Sequence, residues 1–182
     1  MSRILRGYLR LLDKYPVITM SCTTGTLMAT GDALAQKLLE KNTTGFDYKR
    51  NARFLGFGLF FAGPTLRFWY VFLDRAVKGK TALATVKRVA LDQTVMAPLF
   101  LVSFISGMGA LRGDSTDVIK SNLKRDFAPV LLNNYKLWPG VQLVNFYLVP
   151  LQHRLLVVNV VALGWNTYLA WMNERKQLVQ DS

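Results

Sequence analysis

Long uncharged runs separated by short charged segments dominate the hydrophobic pattern of this chain. Residues 15–31, 54–66, 93–111 and 155–173 contain no charged side chain, and the 35-residue stretch 137–171 contains one, Arg154. A bilayer core about 30 Å thick is crossed by about 20 apolar residues of helix. The pattern therefore predicts an all-α polytopic membrane bundle of four to five kinked hydrophobic helices. The count is four if 137–171 crosses once and five if each half crosses.

Two further segments have the alternation of an amphipathic helix. Residues 1–15 place four cations on one helical face, at Arg3, Arg6, Arg10 and Lys14. Such a helix can lie on an anionic membrane surface, and it also resembles a mitochondrial targeting sequence. A solvated first helix is the plain alternative. Residues 112–136 predict an interfacial helix ending near Pro129. We predict one integral-membrane domain over 1–182, with the bundle at 16–176.

Small residues in the apolar runs predict close helix contacts. The first run is rich in Gly, Ala, Ser and Thr, and Gly25 and Ala29 have the four-residue spacing of tight membrane packing. The second run contains Gly56, Gly58, Ala62 and Gly63. Residues 37–50 between these runs are polar and contain Asn42 and Gly45, so they predict a linker.

Prolines in the apolar runs predict bends. Pro139 suits the start of a helix, because a proline fits the first helical turn. Within a helix a proline removes a hydrogen bond and bends the axis. Candidate hinges are therefore Gly63, Pro64, Pro98 and Pro150. Two interpretations stay open: gating hinges and static packing features.

The charge balance points to a membrane partner. The net charge is +12 in a chain that is 51% hydrophobic, and the cations stand singly or in pairs between apolar runs. Cations flanking apolar segments are typical of membrane interfaces. The sequence has no basic stripe with interleaved aromatic residues, so we predict no direct nucleic-acid binding. The predicted partner is the lipid bilayer.

The scarcity of reactive side chains argues against catalysis. Cys22 is the only cysteine and His153 the only histidine, so the chain has no internal disulfide, and no thiolate or histidine-rich metal site. We find no nucleophile with a base and no phosphate-binding loop, and we predict a protein without enzymatic activity, cofactor or metal. Cys22 is a candidate redox sensor, although a cysteine in an apolar helix is more often inert.

Polar side chains recur in or beside the apolar runs, and they are the candidate functional residues. They are Asp32, Gln36, Arg53, Asp92, Gln93, Gln142, Asn145 and Arg154. Ionisable groups at membrane depth face the bundle interior or a water-filled cavity. One interpretation is a hydrophilic path through the bundle, within one chain or at the axis of a homo-oligomer. The other is a set of interhelical pairs and hydrogen bonds that hold the helices together.

Several sequence blocks, in order along the chain, resemble the Mpv-seventeen family, which also contains a small peroxisomal membrane protein. The blocks are Tyr15-Pro16, Gly31-Asp32, Gln36, Arg50, Arg53, Gly56, Gly63-Pro64, Trp69-Tyr70, Leu73-Asp74-Arg75, Asp92-Gln93, Ala97-Pro98, Trp138-Pro139, Gln142, Asn145-Phe146, Val149-Pro150, Arg154, Trp165-Asn166 and Tyr168-Leu169. The resemblance runs from Tyr15 to Trp171 and is greatest to the mitochondrial branch of the family.

The resemblance carries expectations that the residue pattern does not. It implies a multi-pass protein of the mitochondrial inner membrane, with the peroxisomal membrane as the alternative. It also implies a non-selective channel for ions or small metabolites that modulates membrane potential, linked to reactive-oxygen handling and to mitochondrial DNA and nucleotide maintenance. A non-conducting adaptor protein and a metabolite carrier remain as alternatives.

Overall fold

Helices account for nearly all of the chain that the structure describes. The structure is a computed structural model and describes residues 3–40, 45–79, 81–148 and 154–174. The helices are α1 (Arg3–Lys14), α2 (Pro16–Leu34), α3 (Tyr48–Phe57), α4 (Gly63–Ala76), α5 (Ala82–Leu91), α6 (Ala97–Arg112), α7 (Thr116–Tyr147) and α8 (Arg154–Glu174). No strand occurs within these ranges, and the predicted all-α class is confirmed.

Three π-helical turns lengthen or join these helices. Ala35–Leu39 extends α2, Gly58–Ala62 joins α3 to α4, and Asp92–Met96 joins α5 to α6. The second and third turns end two residues before Pro64 and Pro98. A proline lacks the N–H of the helical bond and its ring presses on the carbonyl four residues earlier, and a wider turn relieves both. The bends predicted at Pro64 and Pro98 thus coincide with departures from α geometry, whereas the use of these positions as hinges stays a prediction.

Short polar side chains begin the helices where the sequence changes from loop to apolar run. Asp47 accepts a hydrogen bond from a backbone N–H in the first turn of α3, at 2.9 Å. Thr81 does the same for α5 at 3.2 Å, and Ser115 does so for α7 at 3.4 Å. Gly113, with φ at +93°, ends α6 in the left-handed conformation that glycine adopts without strain. Pro16 occupies the first turn of α2, a position that suits proline.

One helix among the described residues is long and apolar enough to cross a membrane by itself. It is the 31-residue rod Ala82–Arg112, formed by α5, its π-helical turn and α6. The other long helices mix polar side chains into their apolar runs. The hydroxyl and glycine residues of α2 and the charged first half of α7 are the clearest cases. The predicted number of four to five crossings therefore stays a prediction.

Two expectations for the second half of the chain are wrong. The interfacial helix does not end near Pro129, and no helix begins at Pro139, because α7 is continuous through both. Asp126 and Val130, on either side of Pro129, are buried. Around Pro129, the packing of α7 on α6 outweighs the lost hydrogen bond and keeps the backbone helical. The apolar stretch 137–171 is shared by α7 and α8, and Pro150 lies outside the described residues.

The chain divides into two compact units. One lies within Met1–Arg67 and Leu155–Ser182, and the other within Phe68–Arg154. In the first, α2 packs on α3 and on the turn Gly58–Ala62. In the second, α6 packs on α7, and Leu101, Phe104 and Met108 of α6 are buried.

The contact of α2 with the α3–α4 rod depends on glycine. A Cβ atom added to Gly58 would stand 2.5 Å from the Cα of Gly25, and one added to Gly63 would overlap the backbone of Ser21. The predicted close approach at these glycines is confirmed. At Gly56 it is wrong, because a Cβ there would meet no atom within 4 Å. The spacing of glycines gave no sign of which one faces the neighbouring helix.

Candidate functional site

The end of α2 and the π-helical turn that extends it place three buried polar side chains at four-residue intervals. Asp32 is 0% exposed, Gln36 4% and Glu40 5%. Residues four apart share a face of a helix, and this face turns toward the first turn of α3. Burying two carboxylates is costly unless a cation and hydrogen-bond donors surround them. The first turn of α3 supplies both.

Arg50 pairs with both carboxylates. Its guanidinium donates to Glu40 through two nitrogens, at 2.6 and 2.8 Å, and its Nε stands 2.6 Å from Oδ1 of Asp32. Arg50 is itself 4% exposed. A two-pronged arginine–carboxylate pair fixes direction as well as distance. It therefore ties the end of α2 to the start of α3.

Amide side chains complete the coordination of Asp32. Gln36 Nε2 donates to Asp32 Oδ2 at 2.8 Å, and Asn51 Nδ2 donates to the same oxygen at 3.0 Å. Asn51 also donates to the carbonyl of Ala29 at 2.7 Å, and Gln36 accepts the N–H of Asp47 at 2.8 Å. We call Asp32, Gln36, Glu40, Arg50 and Asn51 the arginine cluster.

The charges around Arg50 keep it ionised. Burial lowers the pKa of the guanidinium, but the hydrogen bond to Glu40 and the charges of Asp32 and Glu174 outweigh that effect. The pKa of Arg50 consequently stands above its ordinary value. Arg50 precedes the uncharged run 54–66, so this fixed ion pair lies outside that run in the sequence.

The arginine cluster contains Asp32 and Gln36, which the sequence predicted as site residues, and three residues that it did not. The interpretation of 37–50 as a polar linker is wrong at both ends. The helical turn continues to Leu39, and both Glu40 and Arg50 are buried. The interval Asp32–Gln36–Glu40 was the available signal. Arg53, the other predicted cation of this region, is half-buried, and its Nε has no hydrogen-bond partner among the described residues.

A second polar network occupies the other unit. Trp69 Nε1 donates to Oδ1 of Asp92 at 2.9 Å, and Gln93 Nε2 donates to Oδ2 at 3.1 Å. Asn134 of α7 donates to Oε1 of Gln93 at 2.8 Å. We call these four residues the Asp92 network. It links α4, the π-helical turn at Asp92–Met96 and α7.

The Asp92 network differs from the arginine cluster in charge and burial. Asp92 and Gln93 are only partly buried. Within the ranges that the structure describes, no lysine or arginine forms an ion pair with Asp92, whose acceptors are served by neutral donors. A partly exposed carboxylate without a cation, beside 19 uncharged residues, needs water or ions nearby.

The remaining predicted residues are less informative. Gln142 is half-buried in α7, and Cys22 is on the exposed face of α2. Asn145 lies in α7 and Arg154 begins α8, but the structure describes neither side chain. The structure thus gathers Asp32 with Gln36 and Asp92 with Gln93, in separate units.

Replacing Trp69 by phenylalanine tests the Asp92 network. The change removes the indole N–H and keeps an aromatic ring, so we expect the free energy of unfolding to fall by about 1.5–3 kcal/mol, as for a hydrogen bond to a charged group. Phe72→Leu is the matched control, because it removes the ring stacked on Trp69 at 5.3 Å and keeps the N–H. That control should cost about 0.5–1.5 kcal/mol. Denaturant unfolding in detergent measures both, and strict additivity of Trp69→Phe with Asp92→Asn would contradict the bond.

Comparisons with known proteins agree along nearly the whole chain. A sequence profile of the Mpv17 / PMP22 family matches residues 109–170. The Xenopus laevis protein named "Mitochondrial inner membrane protein Mpv17" is 42% identical over 172 residues, which is 94% of this chain and 97% of the relative. The chain belongs to the Mpv17 / PMP22 family.

Other members show the same breadth of similarity. The Homo sapiens protein of the same name is 42% identical over 173 residues, covering 93% of this chain and 97% of the relative. "Protein SYM1" of Gibberella zeae is 39% identical over 178 residues, covering 96% and 100%. No solved structure matches. The family predicted from the sequence blocks is confirmed, and so is the location in the mitochondrial inner membrane.

Proposed function

We propose that this protein is a weakly selective channel of the mitochondrial inner membrane for ions or small metabolites. Its activity would modulate membrane potential and so support reactive-oxygen handling and mitochondrial DNA and nucleotide maintenance. The proposal includes no enzymatic step. The observation that supports it best is Asp92, a partly exposed carboxylate with neutral partners in the one described helix that is long and apolar enough to cross a membrane.

The position of Asp92 favours water at this point of the bundle. An uncompensated carboxylate at the centre of a membrane helix costs about 2.5–3.5 kcal/mol on insertion scales. Asp92 precedes the uncharged run 93–111, so it stands at the end of the apolar segment. Carboxylates at pore mouths concentrate permeant ions. Trp69 and Gln93 would hold the carboxylate in one orientation, and Asn134 would hold Gln93.

The arginine cluster favours a different role for Asp32. Its carboxylate is fully buried, with two amide donors on Oδ2 and the Arg50 guanidinium in ion-pair contact with Oδ1, so a cation compensates its charge. We assign this cluster to holding helices together. A protein that only held partners together would need such clusters, and the partial exposure of Asp92 and its lack of a cation are the features that favour the channel over the adaptor.

Conductance of the purified protein in planar bilayers tests the channel. We expect stepwise currents from the unmodified chain and a severalfold lower conductance for Asp92→Asn, because the local charge at the mouth is lost. Asp117→Asn is the control, since Asp117 is an exposed acid at the start of α7. Silent bilayers would contradict the channel and favour the adaptor. Saturable uptake of one metabolite without stepwise currents would favour the carrier.

A further inference from the structure

Helix α1 has two distinct faces. Leu5, Tyr8, Leu9 and Leu12 are half-buried and follow the spacing of one helical face. On the opposite side, Arg3, Arg6, Arg10 and Lys14 are all exposed. At 100° per residue these cations fall within an arc of about 80°. Asp13, the only acid of α1, lies to one side of the arc.

The apolar face of α1 is held against α2, so the direction of the cations is fixed. The hydroxyls of Thr23 and Tyr8 share a hydrogen bond of 3.2 Å, and Thr19 donates to the carbonyl of Leu11 at 2.9 Å. These contacts join residues 15 and 8 positions apart, so α1 folds back along the first turns of α2. The cationic face must then point away from this unit.

Exposed apolar side chains stand near the cations along the chain, in α1 and at the start of α2. Ile18 is 65% exposed, Leu11 53% and Tyr15 47%. Lys14 stands over the ring of Tyr15 at 5.2 Å. We call Arg3, Arg6, Arg10, Lys14, Leu11, Tyr15 and Ile18 together the α1 surface. Cations beside uncovered apolar groups, next to the start of an apolar helix, suit the boundary between lipid headgroups and acyl chains.

We propose that the α1 surface binds the headgroups of anionic phospholipids and holds α1 in the membrane interface. The cations pair with lipid phosphates, and Leu11, Tyr15 and Ile18 enter the outer edge of the acyl region. An acidic protein or a nucleic acid would match the charges but would leave the apolar groups beside them uncovered. The bilayer matches both, and it already surrounds the protein. This binding is independent of the proposed channel.

A fluorescent reporter on α1 of the full-length protein tests the proposal. Gly7 lies on the exposed side of α1, and a Cβ there meets no atom within 4 Å. Gly7→Cys in a Cys22→Ser background, labelled with an environment-sensitive dye, would be placed in nanodiscs of phosphatidylcholine alone or mixed equally with phosphatidylglycerol. We expect a blue-shifted emission in the anionic nanodiscs that high salt reverses.

Charge-matched variants separate the α1 surface from general charge. Each cation contributes about fivefold to association with an anionic surface, so Arg3→Gln/Arg6→Gln/Arg10→Gln should reduce association roughly a hundredfold and abolish the shift. Lys49→Gln/Lys120→Gln/Lys124→Gln changes the net charge equally at exposed sites and should keep it. Arg6→Gln alone, with a fivefold reduction, serves if the triple variant loses its helical circular dichroism.

Three results would overturn the proposal. The first is an equal emission in neutral and anionic nanodiscs. The second is an equal loss in both triple variants. The third is a shift in neutral nanodiscs on adding inorganic phosphate or duplex DNA, which would identify a phosphate-binding or nucleic-acid surface instead.

Discussion

Arg50→Met should lower the free energy of unfolding by about 3–5 kcal/mol, the cost of removing one partner from a buried ion pair. Methionine retains an unbranched stem like that of arginine but lacks the cation that contacts both Asp32 and Glu40. Both carboxylates are at most 5% exposed, so water cannot replace the guanidinium. Chemical unfolding in detergent, followed by circular dichroism, gives the change.

Lys49→Met is the matched control for Arg50→Met. Lys49 is the preceding residue, has the same formal charge and is exposed, so its loss should change the free energy of unfolding by less than about 0.5 kcal/mol. The loss of unfolding free energy for Arg50→Lys should lie between those of the two methionine variants, since an ammonium keeps the charge and loses the two-pronged contact. Equal effects at positions 49 and 50 would show that the arginine cluster does not hold α2 to α3.

Gly58→Ala should destabilise the protein by about 3 kcal/mol or more, at the upper end of the range for overpacking. The added methyl group would stand 2.5 Å from Gly25 Cα and 2.8 Å from Gly25 N. Those are backbone atoms in mid-helix, and they cannot rotate aside as the end of a side chain can. The α2 helix would have to move away from the continuous helix formed by α3, the turn Gly58–Ala62 and α4. This movement would also separate Ser21 from Gly63.

Gly56→Ala is the control for Gly58→Ala, two residues away in the same rod. A Cβ at Gly56 meets nothing within 4 Å, so alanine should be neutral or stabilising by about 0.5–1 kcal/mol through its better helix propensity. Parallel unfolding curves of the two variants decide the matter. A Gly58→Ala protein as stable as Gly56→Ala would contradict the close approach of α2.

The sequence predicted the parts of this molecule that depend on local patterns. Uncharged runs predicted the helical class, and Pro64 and Pro98 marked the places where helices depart from α geometry. Partners distant along the chain were not predictable in the same way. Glu40 and Arg50 looked like linker residues because polar residues follow Glu40 and flank Arg50, and only their meeting across ten positions buries them. Pro129 misled because the packing of α7 on α6 outweighed a local preference.

Two aspartates illustrate what residue type alone does not decide. Asp32 and Asp92 both border apolar runs, and the sequence assigned both to the same candidate set. Asp32 is fully buried with Arg50, whereas Asp92 is partly exposed with only indole and amide donors. Their partners come from other helices, Arg50 from α3 and Trp69 from α4, and no spacing within one helix reports that difference.

Water access at the Asp92 network is the central claim, and thiol modification during bilayer recording tests it most directly. In a Cys22→Ser background, Gln93→Cys puts a thiol in the network, and Leu99→Cys puts one on the same rod at a side chain 61% exposed. We predict that a charged, membrane-impermeant thiol reagent reduces the current through Gln93→Cys and leaves Leu99→Cys unchanged, because we expect an exposed leucine in the uncharged run 93–111 to face lipid. A current through Gln93→Cys that the reagent does not change, or equal block at both positions, would contradict a water path beside Asp92.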